Sequence, residues 1–216
     1  MSTPNLPDAV CLFEEPRAPN PRRVNIFIAE KGIEIERHVL DLIEGAHKAP
    51  DYLSKVGVPQ VPALELEDGT ILTESQAICR YLEALYPEPN MMGATPYETA
   101  VIDMWQRRVE FGLFAAVTAT FRHTNPHMSA LEDQVPEWGE INRRRIPVHL
   151  QRLDARLAES PYVAAERFTV ADITAIVAID FLRIVRERVP EELTNLADWI
   201  GRVRARPSCT LPGKAA

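Results

Sequence analysis

Two rhythms of apolar and polar residues divide this chain. Val10-Cys11-Leu12-Phe13 is an unbroken apolar run, the form of a short buried strand. From Arg22 to Lys31 the apolar residues Val24, Phe27 and Ile28 recur at helical spacing, and Gly32 stands where a helix C-cap glycine belongs. Ile33 to Leu40 then alternates, with Ile33, Ile35, Arg37 and Val39 opposite Glu34, Glu36 and His38, which predicts a second strand. Leu64-Glu65-Leu66-Glu67 and Thr70-Ile71-Leu72-Thr73 flank Asp68-Gly69, predicting a hairpin closed by a type I′ turn. Ser75 to Leu85 puts Ile78, Leu82 and Leu85 on one helical face and is ended by Pro87 and Pro89. The order is strand, helix, strand, crossover, hairpin, helix: an α/β unit over residues 1–86.

Beyond Asn90 the period stays helical. Thr99 to His123 reads as one long helix with apolar residues on more than one face. Arg143 to Glu159 is amphipathic, with Pro147 expected to bend it or delay its start. Val170 to Val189 is strongly apolar in its first half, and Leu193 to Arg206 reads as a last helix. The expectation is an all-α domain over 97–216, joined by a linker at 87–96.

Composition sharpens this picture through proline. The 216 residues hold 18 Pro and 9 Gly, against ordinary usage of about 5% and 7%. Disorder is excluded by 46% hydrophobic residues. Proline is costly inside helices and central strands, so the proline-free windows are where regular structure belongs. The net charge of −7 argues against nucleic acid or an anionic membrane as partner, and Arg143-Arg144-Arg145 reads as a solvated face. No run is long and apolar enough to span a membrane, and the first residues lack the pattern of a signal peptide. Cys11, Cys79 and Cys209 form neither a disulfide framework nor a metal-ligand spacing, which points to a reducing compartment. Cys11 and Cys79 lie on apolar faces, whereas Cys209 is expected in an exposed tail.

Several residues carry candidate chemistry. Thr169-Val170-Ala171-Asp172 has the form of a capping box, and its plain reading is a well-capped helix. A cis bond at Val61-Pro62 would leave the Val61 backbone able to pair with an extended peptide. At Glu74-Ser75, Ser75 either caps the following helix or, with free backbone N–H groups, binds a carboxylate while Glu74 takes an ammonium group. Those two groups on one carbon make an amino acid. Asn20, between Pro19 and Pro21, either caps the first helix or stabilises an anion such as a thiolate. His47 reads as a solvated loop histidine, and Phe121-Arg122-His123-Thr124 as a pocket wall or a frayed helix end.

Taken together, APNPRRVNIFIAEKGIEIE, QVPALELEDGTILTESQAICRYLEALYP, ERFTVADI and WIGRVRARPS resemble the cytosolic glutathione transferase family over nearly the whole chain. The resemblance implies a thioredoxin-like N-terminal domain that binds glutathione and an all-helical C-terminal domain that shapes an electrophile pocket and part of a homodimer interface. Pro62 matches the family's cis-proline, and Gln60-Val61 the segment pairing with the cysteinyl part of glutathione. Glu74 and Ser75 match the residues holding the γ-glutamyl ammonium and carboxylate. His47-Lys48 resembles the segment at the glycyl carboxylate. Asp172 matches the acidic residue of the family's capping box. Phe111, Phe114, Phe121 and His123 are the candidate pocket residues for a small hydrophobic electrophile.

Two departures stand out. Ala18 falls where many classes carry a catalytic Ser or Cys, and Asn20 follows in the pattern N-x-x-[KR]-[VI], similar to bacterial nu-class enzymes. The loop Val56-Gly57-Val58-Pro59-Gln60 replaces the common Asn-Pro-x-Gly-x. Glutathione is then the implied co-substrate, with no metal and a cytoplasmic location. An unperturbed thiol is only about 3% thiolate at pH 7. Lowering its pKa by about two units takes about 2.7 kcal/mol of anion stabilisation. Asn20 and the N–H groups at the Arg22 helix start are the expected donors. Glutathione conjugation leads; glutathione-dependent disulfide or peroxide reduction, and a non-catalytic binding protein on the same fold, are the alternatives.

Overall fold

The computed structural model describes residues 8–210, which divide into two compact units, 8–90 and 91–210. The first is a four-stranded sheet with helices. Its elements are β1 (Ala9–Glu14), α1 (Pro19–Lys31), β2 (Glu36–Val39), a 3₁₀ turn at Ala46–Lys48, α2 (Pro50–Val56), β3 (Ala63–Leu66), β4 (Ile71–Thr73) and α3 (Ser75–Leu85). The strand order is β2-β1-β3-β4, with β2 parallel to β1 and the other neighbours antiparallel. This is the thioredoxin-like arrangement. Val24, Phe27 and Ile28 of α1, Leu12 and Leu64 of the sheet, and Ile78 and Leu82 of α3 are all buried. Gly32 ends α1 at φ 63, where a Cβ would be strained.

Four local expectations change here. The second strand is shorter than its alternation, because its ladder to β1 begins only at Cys11–Glu36, and all four residues of this edge strand are exposed. The hairpin turn is not type I′. Gly69 alone takes positive φ (82), its N–H donates to the Leu66 carbonyl, and the Thr70 N–H donates to the Asp68 carboxylate. That is a three-residue connection with glycine in the left-handed position, which spares Asp68 a positive φ. The crossover contains an unforeseen helix, α2, which buries Tyr52 and Val56 one turn apart. Finally, Asn20 and Ser75 are not caps: α1 begins at Pro19 after Ala18, and α3 at Ser75 after Glu74.

The second unit is helical throughout its described residues. α4 (Pro96–Val109), a π-turn (Glu110–Phe114) and α5 (Ala115–Thr124) form one continuous run, followed by α6 (Pro136–Leu157), α7 (Val170–Phe181) and α8 (Thr194–Arg204). The expected single helix is thus interrupted by a π-turn, where Gly112 lets the backbone approach His149: a Cβ there would lie 2.8 Å from Nδ1. α6 starts earlier than expected and runs through Pro147, which sits exposed while Ile146 and Leu150 are buried beside it. α7 stops at Phe181, and a 3₁₀ turn ends at Arg186 with φ 60.

The capping box is present and α7 is its beneficiary. The fully buried Asp172 accepts hydrogen bonds from the Thr169 N–H and hydroxyl, the Val163 N–H and Trp199 Nε1, all at 2.9–3.0 Å. Burial raises its pKa, against those four hydrogen bonds. Cys209 is not in an exposed tail: it is 2% exposed, and all three cysteines are buried and outside any disulfide.

Candidate functional site

Strand register gathers most of the candidate residues at one end of the sheet. Phe13 pairs with Ala63, and Ala63 with Thr73. The exit of β1, the entry to β3 and the exit of β4 are therefore neighbours. These are the points from which Ala18-Pro19-Asn20, Val61-Pro62 and Glu74-Ser75 emerge. β2 runs parallel to β1, so its exit, leading to His47-Lys48, opens at the same end. One segment supplied by each strand end makes a shared concave rim, as open α/β sheets do at strand termini.

The β1–α1 loop is fixed by its own side chains. The Arg17 backbone N–H and guanidinium donate to the Glu15 carboxylate, which they hold below the usual carboxylate range, and the Ala18 N–H donates to the Glu15 carbonyl at 2.9 Å. At the start of α1 the donors are few. Pro19 and Pro21 have no N–H, and the Arg22 N–H is taken by the Ala18 carbonyl at 3.1 Å. The Arg22 N–H itself is thus used by the helix, and among the backbone donors of this first turn the Asn20 N–H is the one left without an acceptor among the described residues. What remains is Asn20. Arg23 Nη1 donates to Asn20 Oδ1 at 3.2 Å, and no described residue accepts from its Nδ2 or backbone N–H. Arg23 is 2% exposed, so its charge polarises the amide and strengthens Nδ2 as a donor.

Val61-Pro62 is cis. The β3 ladder begins at Ala63, so the half-buried Val61 backbone lies beyond the sheet pairing. The loop before it takes a defined course: Gly57 caps α2 at φ 82, and the Tyr52 hydroxyl donates to the Gln60 carbonyl at 2.5 Å. Burial pushes the Tyr52 hydroxyl up to about 12, so it remains a donor throughout the physiological range. Gln60 is exposed.

Glu74 adopts φ 67, ψ 114, an uncommon conformation for a residue with a side chain. It turns an exposed carboxylate out beside the uncapped N-terminus of α3. Ser75 is buried, its hydroxyl takes no partner among the described residues, and the N–H groups of Ser75 and Ala77 take no acceptor among them. The arrangement offers a carboxylate for a cation and orphan donors for an anion. His47 is buried rather than solvated, and its Nδ1 meets no partner among the described residues. Burial, then the Lys48 charge, lowers its pKa, so the ring is neutral at pH 7. Lys48 itself is exposed.

The four aromatic candidates of the second unit do not form one patch. About 1.5 Å of rise per residue separates Phe111 from His123 by about 18 Å. Phe111 is 69% exposed and lines a cavity between α4 and α6. Phe114 is buried, Phe121 packs edge-on against Phe181, and His123 Nδ1 accepts the Val135 N–H at 3.1 Å.

Tyr52 and Arg23 are the positioning residues that sequence reasoning passed over. Arg23 was readable, since Asn20 and Arg23 stand at i and i+3 on one helix face. Tyr52 was not, because its value depends on α2 folding back to the Gln60 carbonyl. Cys11 and Cys79 have thiols raised by burial, Cys79 to about 12, so neither offers a thiolate. Among the described residues, no group of three His, Cys, Asp or Glu could hold a metal ion, and no helix is long and apolar enough to cross a membrane.

Comparisons with known proteins agree with this fold. Residues 18–85 match the family "Glutathione S-transferase, N-terminal domain", and residues 113–207 match "Glutathione S-transferase, C-terminal domain". The chain is 38% identical over 201 residues to Glutathione S-transferase 2 of Saccharomyces cerevisiae, covering 91% of this chain and 86% of that protein. The fold superposes with TM-score 0.88 on a glutathione S-transferase domain-containing protein of Marinobacter aquaeolei, at 37% identity over 93% of this chain and 100% of the other. For Gtt2 of Saccharomyces cerevisiae the TM-score is 0.87, at 37% identity over 93% and 98%.

Proposed function

Because the chain belongs to the glutathione S-transferase family, we propose that it binds glutathione at the rim of its sheet and activates the thiol for attack on a small hydrophobic electrophile. The observation that carries this is the convergence of Asn20, Val61-Pro62, Glu74-Ser75 and His47 at one sheet end. Glu74 takes the γ-glutamyl ammonium, while the Ser75 hydroxyl and the orphan N–H groups of α3 take the neighbouring carboxylate. The Val61 backbone pairs with the cysteinyl unit as a short added strand. Neutral His47 donates to the glycyl carboxylate, and Lys48 adds charge there.

The thiol then lies at the start of α1, where the Asn20 amide and backbone N–H donate to the sulfur. Thiolate is favoured over thiol because both donors strengthen as the sulfur gains charge. The nucleophile is glutathione's own, which suits a chain whose three cysteines are all buried. The C–S bond forms at the electrophilic carbon as its leaving group departs with the bonding pair. The electrophile side of the proposal falls on the second unit, around Phe114, Phe121 and His123. Tyr97 and Met104, exposed seven positions apart on α4, support a homodimer. The free thiols support the cytoplasm.

Isothermal titration tests the reading. Glutathione should bind at millimolar concentration or below, and Glu74→Gln should weaken it about tenfold, the cost of one charge-assisted hydrogen bond. Absence of glutathione binding overturns it. Turnover of an aryl halide, against turnover of a mixed disulfide alone, separates conjugation from reduction.

A further inference from the structure

Beyond α7 the chain makes the 3₁₀ turn Leu182–Val185, capped by Arg186. Leu182 and Val185 are buried, which leaves Arg183, Ile184 and Arg186 exposed on the outer side of the turn. Residues three apart in a 3₁₀ turn lie one above the other. The Arg186 N–H accordingly donates to the Arg183 carbonyl at 3.2 Å, and the two arginines share one edge of the turn. Arg188, also exposed, follows two positions on.

The backbone beneath these side chains is pinned. The Arg143 guanidinium of α6 donates to the Val185 carbonyl at 2.5 Å and to the Glu187 carboxylate at 3.0 Å, and the Glu187 N–H donates to the Leu182 carbonyl at 3.0 Å. Glu187, the carboxylate between Arg186 and Arg188, is therefore committed to Arg143. Among the described residues no carboxylate lies within ion-pair distance of Arg183, Arg186 or Arg188.

Two features here cost stability. Neighbouring like charges repel without a counter-charge. Arg186 sits at φ 60, ψ 30, a left-handed position that favours Gly or Asn. Neither serves the turn, which is closed by backbone hydrogen bonds and anchored by Leu182 and Val185. A ligand that brings carboxylates accounts for both, since each guanidinium can take a carboxylate in two parallel hydrogen bonds. The net charge of −7 narrows the choice. A membrane or a nucleic acid extends its negative charge over the whole chain, whereas a short acidic segment meets only this patch, within about one Debye length of 8 Å.

We propose that the turn at 183–188 is a docking surface for an acidic segment of a partner protein, which sets carboxylates on Arg183, Arg186 and Arg188 and an apolar side chain on Ile184. It lies wholly within the second unit and does not rest on the glutathione reading.

The test is fluorescence anisotropy of the full chain with a short fluorescein-labelled glutamate peptide carrying one central leucine. Binding should saturate, and should weaken about tenfold as salt rises from about 50 to about 200 mM. Arg183→Gln, Arg186→Asn and Arg188→Gln should each weaken it about fivefold, and the triple variant should abolish it. Far-UV circular dichroism and the glutathione isotherm should stay unchanged. Arg186→Asn should also hold or raise the thermal midpoint, because Asn suits the left-handed position. No saturation at about millimolar peptide overturns the proposal, as does wild-type affinity in the triple variant or equal affinity for the peptide with glutamine in place of glutamate. A fall in the midpoint of Arg186→Asn assigns that arginine to folding and removes it from the surface. Tighter binding of phosphatidylserine vesicles or of single-stranded DNA assigns the patch to another class of partner. Loss of self-association in the triple variant, measured by sedimentation, gives it to a second copy of the chain, and either result rejects the acidic segment.

Discussion

Removal of the Asn20 amide should raise the pKa of bound glutathione by a calculable amount. Only two donors remain at the first turn of α1, because Pro19 and Pro21 lack an N–H and Arg22 donates to Ala18. A hydrogen bond to a charged acceptor is worth about 1.5–3 kcal/mol, and the half-exposed setting of Asn20 argues for the lower end. Asn20→Ala keeps the backbone N–H and loses Nδ2, so the expected cost is about 1.5–2 kcal/mol, or about 1–1.5 pKa units. With a wild-type value of about 6.5, the thiolate fraction at pH 6.5 falls from about one half to about 3–9%. At pH 9 both forms are largely ionised.

The assay is the ultraviolet absorbance of the bound thiolate followed against pH, with kcat/KM measured in parallel. The acid limb of the profile should move to higher pH while the alkaline plateau is kept. Asn20→Asp preserves an acceptor for Arg23 but replaces the donor with a carboxylate, so its shift should be larger still. An unchanged thiol pKa, or an equal loss of rate at every pH, refutes the assignment and leaves activation to the backbone N–H alone.

Three further outcomes follow from the same geometry. Asp172→Ala strands buried N–H donors of Val163, Thr169 and Trp199; at about 1–2 kcal/mol each the loss should be about 3–6 kcal/mol in a urea melt, and a loss under about 1 kcal/mol contradicts the network. Tyr52→Phe removes the hydrogen bond holding the Gln60 carbonyl, so KM for glutathione should rise about fivefold at nearly constant kcat, as about 1 kcal/mol implies; an unchanged KM separates α2 from the site. His47 titrates below its unfolded value, so the unfolded chain takes the proton first and stability falls as pH drops from about 7 towards about 5. In His47→Gln that fall should be shallower, with the part due to His149, lowered likewise by burial, remaining; parallel curves reject the share given to His47.

The legible parts of this chain were those where one residue type serves one local purpose. Gly32, Gly69 and the Thr169–Asp172 pair mark their own turns and caps, because the backbone conformations they permit are set within a few residues. α2 was missed since its seven residues are too few for Tyr52, Leu53 and Val56 to show a period, and β2 was overextended because alternation says nothing about where a partner strand stops. The site divided in the same way. Val61-Pro62 and Glu74-Ser75 were recognisable as motifs, but Asn20 and Ser75 were open to reading as caps, and hydrogen-bond partners decide that question.

The sequence by itself determined the four strands, most of the helices and their order, α2 and the π-turn excepted, and the buried setting of Cys11 and Cys79. Tertiary structure decided which of those segments meet. The pairings Phe13–Ala63 and Ala63–Thr73 bring loops dozens of residues apart to one rim. The prolines around Asn20, read along the chain as punctuation, carry no N–H, and the Ala18 carbonyl takes the Arg22 N–H, which leaves the Asn20 amide and backbone N–H without an acceptor among the described residues. Periodicity reports a residue's relation to its own helix or strand; contacts across the sheet, and the burial that holds His47 neutral, depend on neighbours the local pattern does not contain.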